Sequence, residues 1–98
     1  MQFQFRSELW LHSGDAAWHF VTVPIDVGEE ISDASAGERR GFGSVKVRAT
    51  IGSTTWATSL FPDSASGSFV LPVKRQVRQA EDLEDGDQVD VSVAIVMP

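Results

Sequence analysis

The chain has 98 residues, 42% hydrophobic and 22% charged, the size and composition of one globular domain (1–98) and not of a disordered or fibrous chain. It contains no cysteine, which excludes disulfides and thiolate metal sites and gives no sign of an oxidising compartment. Eight basic residues against fourteen acidic ones leave a net charge of −6, which repels a phosphate backbone and disfavours a nucleic-acid partner.

The first residues, Met1-Gln2-Phe3-Gln4-Phe5-Arg6, alternate at once and do not read as a secretory leader. No apolar run approaches the roughly 18 residues a membrane helix needs, so the expectation is a cytoplasmic protein with no membrane association. Phe3, Phe5, Ser7, Leu9 and Leu11 alternate with Gln4, Arg6, Glu8, Trp10 and His12, the period of a half-buried strand. Ser13-Gly14-Asp15-Ala16 is turn chemistry. Ala17 to Val23, rich in β-branched and aromatic residues, then returns as the second arm of a hairpin. Pro24 ends that strand because it has no N–H for a ladder.

Asp26 stands three residues before Glu29, the spacing of a capping box, and Val27, Ile31 and Ala34 follow at helical intervals. These signals predict a short helix over about 27–35, weakened by Gly28. Gly37 to Gly43, with Glu38, Arg39 and Arg40, reads as an exposed loop. Val45, Val47, Ala49 and Ile51 alternate with Lys46, Arg48 and Thr50, and Gly52-Ser53 suits a two-residue type II′ turn. Thr54 to Leu60 is then the partner strand, with Val45 facing Leu60, Val47 facing Thr58 and Ala49 facing Trp56. The opposite face pairs Lys46 with Ser59, Arg48 with Ala57 and Thr50 with Thr55.

Pro62 to Gly67 reads as a polar loop and Ser68 to Val73 as a fifth strand, with Pro72 near its end. Val77, Ala80 and Leu83 predict a second short helix over Lys74–Leu83. Val89, Val91, Val93 and Ile95 alternate in a last strand over about 88–96. Six strands and two short helices in a chain of this length predict an all-β fold, a small closed or nearly closed six-stranded barrel.

Three stretches carry a resemblance. They are Trp18-His19-Phe20-Val21-Thr22-Val23-Pro24, then Gly41 to Gly52 running on to Trp56-Ala57-Thr58-Ser59-Leu60-Phe61-Pro62, then Leu71-Pro72-Val73-Lys74 through Val77-Arg78, followed by Leu83-Glu84-Asp85-Gly86-Asp87-Gln88-Val89-Asp90-Val91. Together they resemble a bacterial family of small domains of unknown function, found alone or fused to a YdeI/OmpD-associated domain of the bacteriocin-protection kind. The resemblance implies a small β-barrel and brings no activity and no catalytic residues. Within it, Leu83-x-x-Gly86-Asp87-x-Val89-x-Val91 is a turn into a strand, Gly86 supplying positive φ and Asp87 binding nearby N–H groups. The same short pattern is similar to turns of swapped-hairpin barrels in transition-state regulators and of double-psi barrels.

The chemistry available is sparse. His12 and His19, both on the first hairpin, are the two imidazoles, and they read as surface or structural residues because no third ligand stands at a metal spacing. Gly41-Phe42-Gly43 precedes a strand and so lacks the helix N-terminus of a phosphate loop. No motif implies a cofactor. Of the three tryptophans, Trp56 falls on the apolar face of its hairpin, Trp10 lies opposite the phenylalanines, and Trp18 suits either core or ligand. The best constellation is basic and polar: Lys46, Arg48 and Ser59 on one hairpin face, Lys74 and Arg78 expected to share a helix face, and Trp18. Either these cations pair with the acids of 81–90, or they form a site for a small anionic ligand. The leading expectation is a non-enzymatic binding or interaction module with a protein or small-ligand partner. The alternatives are a small anionic-ligand-binding protein or enzyme using the Lys/Arg face, and a DNA-binding barrel like the transition-state regulators, which would require a dimer.

Overall fold

A computed structural model describes residues 1–14, 17–37 and 43–96. Six strands, β1 (Gln2–His12), β2 (Trp18–Thr22), β3 (Val45–Ile51), β4 (Thr54–Asp63), β5 (Ser68–Pro72) and β6 (Gln88–Ile95), form a closed barrel in the order β1-β2-β5-β4-β3-β6. Every pairing is antiparallel, and β6 closes onto β1 within one chain. Every strand thus has a partner on both sides over at least part of its length. The predicted all-β barrel with two short helices is the fold observed.

Alternation fills the interior. Phe5 and Leu9 from β1, Val21 from β2, Leu71 from β5, Leu60 and Trp56 from β4, and the valine rows of β3 and β6 form one buried cluster. Each fully buried Leu or Val contributes about 1.5–3 kcal/mol. The β3–β4 hairpin has the register read from its sequence, from Val45↔Leu60 to Thr50↔Thr55, around Gly52 at φ 59. Leu11 departs from the β1 pattern: it is paired with His19 of β2 yet is exposed.

Helix α1 (Ile25–Ala34) starts two residues earlier than the spacing suggested. Pro24 is its N-cap, with φ already at −55, and Gly28 N–H donates to Pro24 O at 2.8 Å. Asp26 therefore sits in the first turn and there is no side-chain cap, so the Asp26–Glu29 spacing is not a capping box. Strand β4 does not end at Leu60 before a loop. It runs through Pro62, because beyond the Val45–Leu60 pair it leaves β3 and pairs with β5 alone, where a proline breaks no central ladder. Helix α2 is Arg75–Ala80, shorter than Lys74–Leu83, and Lys74 is its N-cap. Asp82, at φ 54, turns the chain out of the helix, and Leu83 N–H returns to Arg78 O at 2.8 Å. The Gly86–Asp87 turn forms as expected: Gly86 is at φ 91, and Asp87 Oδ2 accepts from Glu84 N–H at 2.9 Å. Most of the Gly37–Gly43 loop, including Arg39 and Arg40, and Asp15-Ala16 of the first turn lie outside the described residues.

Gly28 is retained in α1 by a close approach to β5. A Cβ there would sit inside contact distance of Ser68 Oγ, a buried hydroxyl with no hydrogen-bond partner. Gly28→Ala should thus destabilise by about 1–3 kcal/mol where an open helix site would gain about 1 kcal/mol. Adding Ser68→Ala should restore most of the loss, as measured by urea denaturation; an unrescued double variant would refute the contact.

Candidate functional site

Strand period two sends Lys46 and Arg48 of β3 outward, and the register sets Ser59 and Ala57 of β4 beside them. Next to this face the barrel wall loosens. Strand β4 pairs with β5 only over Phe61–Asp63, so the preceding stretch, Thr54–Leu60, has no ladder on that side. The chain leaving β5 through Pro72 and Val73 bends away into α2, carrying Lys74 to the far bank. A cleft of about 600 Å³ opens between them, with Trp18, Lys46, Arg48, Ser59 and Lys74 on its rim and Trp56, Thr58 and Val47 at its base.

The structure thus brings Lys46, Arg48, Ser59, Lys74 and Trp18 around one cleft. Arg78 is not part of it. It stands four residues after Lys74, one helical turn on and on the same side of α2, and the two border one hollow without Arg78 reaching the cleft. Arg78 Nε–H donates to Val73 O at 3.1 Å, a strut that holds the β5–α2 corner. Its guanidinium borders a smaller adjoining hollow of about 240 Å³, with His19, Lys74, Arg75 and Trp18.

The expected pairing of these cations with the acidic stretch does not occur. Among the described residues Arg6 forms an ion pair with Asp90 at 2.9 Å, and His19 Nε2 lies 2.6 Å from Asp85 Oδ1. Lys46, Arg48 and Lys74 belong to neither pair, and no carboxylate of a described residue lines the cleft. Five of the chain's eight cations, Lys46, Arg48, Lys74, Arg75 and Arg78, border these two adjoining depressions on a protein of net charge −6. Such segregation makes a local positive potential that attracts anions against the overall charge.

Aromatic rings form the rest of the surface. Trp18 is 52% exposed and stacks on Phe20, with centroids 6.1 Å apart and planes at 11°. Trp10 covers the other side of Phe20 at 5.2 Å, and its Nε1–H donates to Thr22 Oγ1 at 2.9 Å. Trp56 is 7% exposed and belongs to the core cluster. His12 is exposed and pairs in register with Trp18, while His19 pairs with Leu11 and bonds Asp85, so the two imidazoles are not opposed. Among the described residues no group of three His, Cys, Asp or Glu could hold a metal.

Phe61 escaped the sequence reading. It stands outward on β4, paired with Val70, and forms an apolar continuation of the cleft toward Pro72 and Trp18. Its parity with Ala57 and Ser59 was the available signal, hidden by ending the strand before Pro62.

The chain belongs to a family of domains of unknown function (DUF1905), whose model matches residues 5–93. No curated protein matches the chain. Among the described residues no helix is long and apolar enough to cross a membrane.

The local potential is measurable through Trp18. Iodide should quench its fluorescence about twofold or more better than caesium despite the net charge. Trp18→Phe should remove most iodide-accessible emission. In a Lys46→Ala/Arg48→Ala/Lys74→Ala variant the preference should vanish or reverse; an unchanged ratio would mean that these cations do not set the field.

Proposed function

We propose that this domain is a non-enzymatic binding module whose cleft between β4 and the β5–α2 corner takes a small organic anion. The observation that carries this reading is the convergence of Lys46, Arg48 and Lys74, all without a carboxylate partner among the described residues, on a concave surface with aromatic walls. Exposed cations ordinarily find counter-charges on an acidic protein, and pairing them is cheap. Here Glu81, Asp85, Asp87 and Asp90 are engaged elsewhere, and the groups gathered are cations, hydroxyls and ring faces. They hold charge and exclude water without moving a proton. The small cationic area on a protein of net charge −6 fits a compact anion better than a nucleic-acid duplex.

A thermal-shift panel of pyrophosphate, AMP, benzoate and decanoate tests the reading. A ligand at 100 times its Kd stabilises by about 2.7 kcal/mol, roughly 10 °C or more for a domain of this size. At least one anion should give such a shift in the wild type, and Lys46→Ala/Arg48→Ala should lose it while keeping the unliganded Tm within a few degrees. A shift that survives the double substitution would place binding elsewhere and end the proposal.

A further inference from the structure

The cleft does not stop at its cations. A second depression of about 460 Å³ crosses the outer wall of the barrel, lined by Phe61 of β4, Val70 and Pro72 of β5, Phe20 and Trp18 of β2, and His12 of β1. Its lining is almost wholly apolar, and it shares Trp18, Phe61 and Pro72 with the cationic cleft, so the two form one continuous surface. Phe61 is 44% exposed and Trp18 52%, both on a barrel whose interior is already filled by other side chains. Exposed apolar side chains gathered in one depression beside a polar rim suit a ligand-binding surface.

The geometry points to an amphiphilic anion with an extended apolar chain, specifically a free medium- or long-chain carboxylate, as the occupant. This inference rests on the anion-binding reading above and names the class of ligand. Charge complementarity fixes the head: the carboxylate sits by Lys46, Arg48 and Lys74, the cations that no described carboxylate neutralises. Continuity fixes the tail. From β4 through β5 and β2 to β1 the groove crosses three inter-strand spacings, about 14 Å in all. A single aromatic ring would cover only part of that length, whereas an unbranched chain can lie along it from Phe61 to His12. The stacked Trp18–Phe20 pair gives the chain a flat apolar wall beside the junction where the head turns toward the lysines.

Titration of hexanoate, octanoate, decanoate and decanol, each below its aggregation concentration, by calorimetry on the full chain separates the terms. AMP serves as a planar anion without a chain. Fully burying a methylene would tighten binding about fourfold; along an open groove about twofold is expected, so decanoate should bind at least about tenfold tighter than hexanoate. Decanol should bind at least about tenfold weaker than decanoate. Phe61→Ser should flatten the chain-length dependence, weakening decanoate more than hexanoate, and Lys46→Ala/Arg48→Ala should weaken every carboxylate alike. Equal affinities across the alkanoates, or binding of AMP with none of the alkanoates, would overturn the chain while leaving the anion site standing. Decanol binding as tightly as decanoate would overturn the charged head, and with it the anion reading. No binding of any of these probes would overturn both.

Discussion

Strand β4 has to serve two neighbours in turn, and the rest of the molecule follows from how it divides itself. Its first seven residues, Thr54–Leu60, pair with β3, and its last three, Phe61–Asp63, pair with β5. A six-stranded antiparallel sheet can close on itself only if its strands stagger. Strand β1 also divides, pairing with β6 over Gln2–Glu8 and with β2 over Leu9–His12, but the seam at β4 is the one beside the cleft. The seam leaves the Thr54–Leu60 stretch without a ladder partner on its β5 side. Helix α2 and the corner leading into it stand across that gap, and the cleft is the space left between. The site is thus a by-product of closure: it needs no inserted loop, only a strand that changes partner halfway.

What keeps the gap from collapsing is the anchoring of the 74–90 segment. Helix α2 has six residues, too few to be stable alone. It is held by Val77 in the core, by Arg78 Nε–H on Val73 O, and by Glu81, whose Oε2 accepts from Thr54 Oγ1 at 2.6 Å. The following turn is tied to β1 by two backbone bonds, Gly86 N–H to Leu9 O and Leu9 N–H to Asp87 O, at 2.8 and 2.9 Å. Asp85 meets His19, Asp87 closes its own turn, and Asp90 meets Arg6. Four acids of the densest acidic stretch are therefore committed to fastening this segment. They are drawn toward β1, β2 and the β3–β4 hairpin, away from the cleft, which explains how an acidic protein keeps a cationic cleft.

Much of this was legible in the residues, and the unread parts have physical reasons. The β3–β4 hairpin could be read to the level of individual pairs because a two-residue turn with glycine first fixes register, and alternation fixes faces. The Gly86–Asp87 turn was readable for the same local reason. Helix bounds were less so: α1 begins at a proline-preset N-cap that outweighs the Asp26–Glu29 spacing, and α2 ends early because Asp82 takes the left-handed conformation. That Lys74 faces Lys46 and Arg48 while Arg78 turns to the backbone depends on where β5 leaves the wall. No local periodicity encodes that long-range fact. Phe61 was lost for a related reason, since Pro62 reads as a strand end unless one knows that β4 has only one partner there.

The outward aromatic residues complete the physical picture. Burial inside the barrel accounts for Phe5, Leu9, Trp56, Leu60 and the valine rows, and these suffice to close it. Trp18 and Phe61 add nothing to that interior: about half of each is left in water, where each square ångström of apolar surface forfeits roughly 25 cal/mol. Folding alone gives no reason for a tryptophan at the first residue of β2, stacked on one neighbour and open on its other side. Nor does it give a reason for an outward phenylalanine beside unpaired lysines. Both features become economical if the missing burial and the missing counter-charge are supplied together by one ligand. In that arrangement the exposed rings and the unneutralised cations are two halves of a single recognition surface, set side by side by the seam where β4 changes partner.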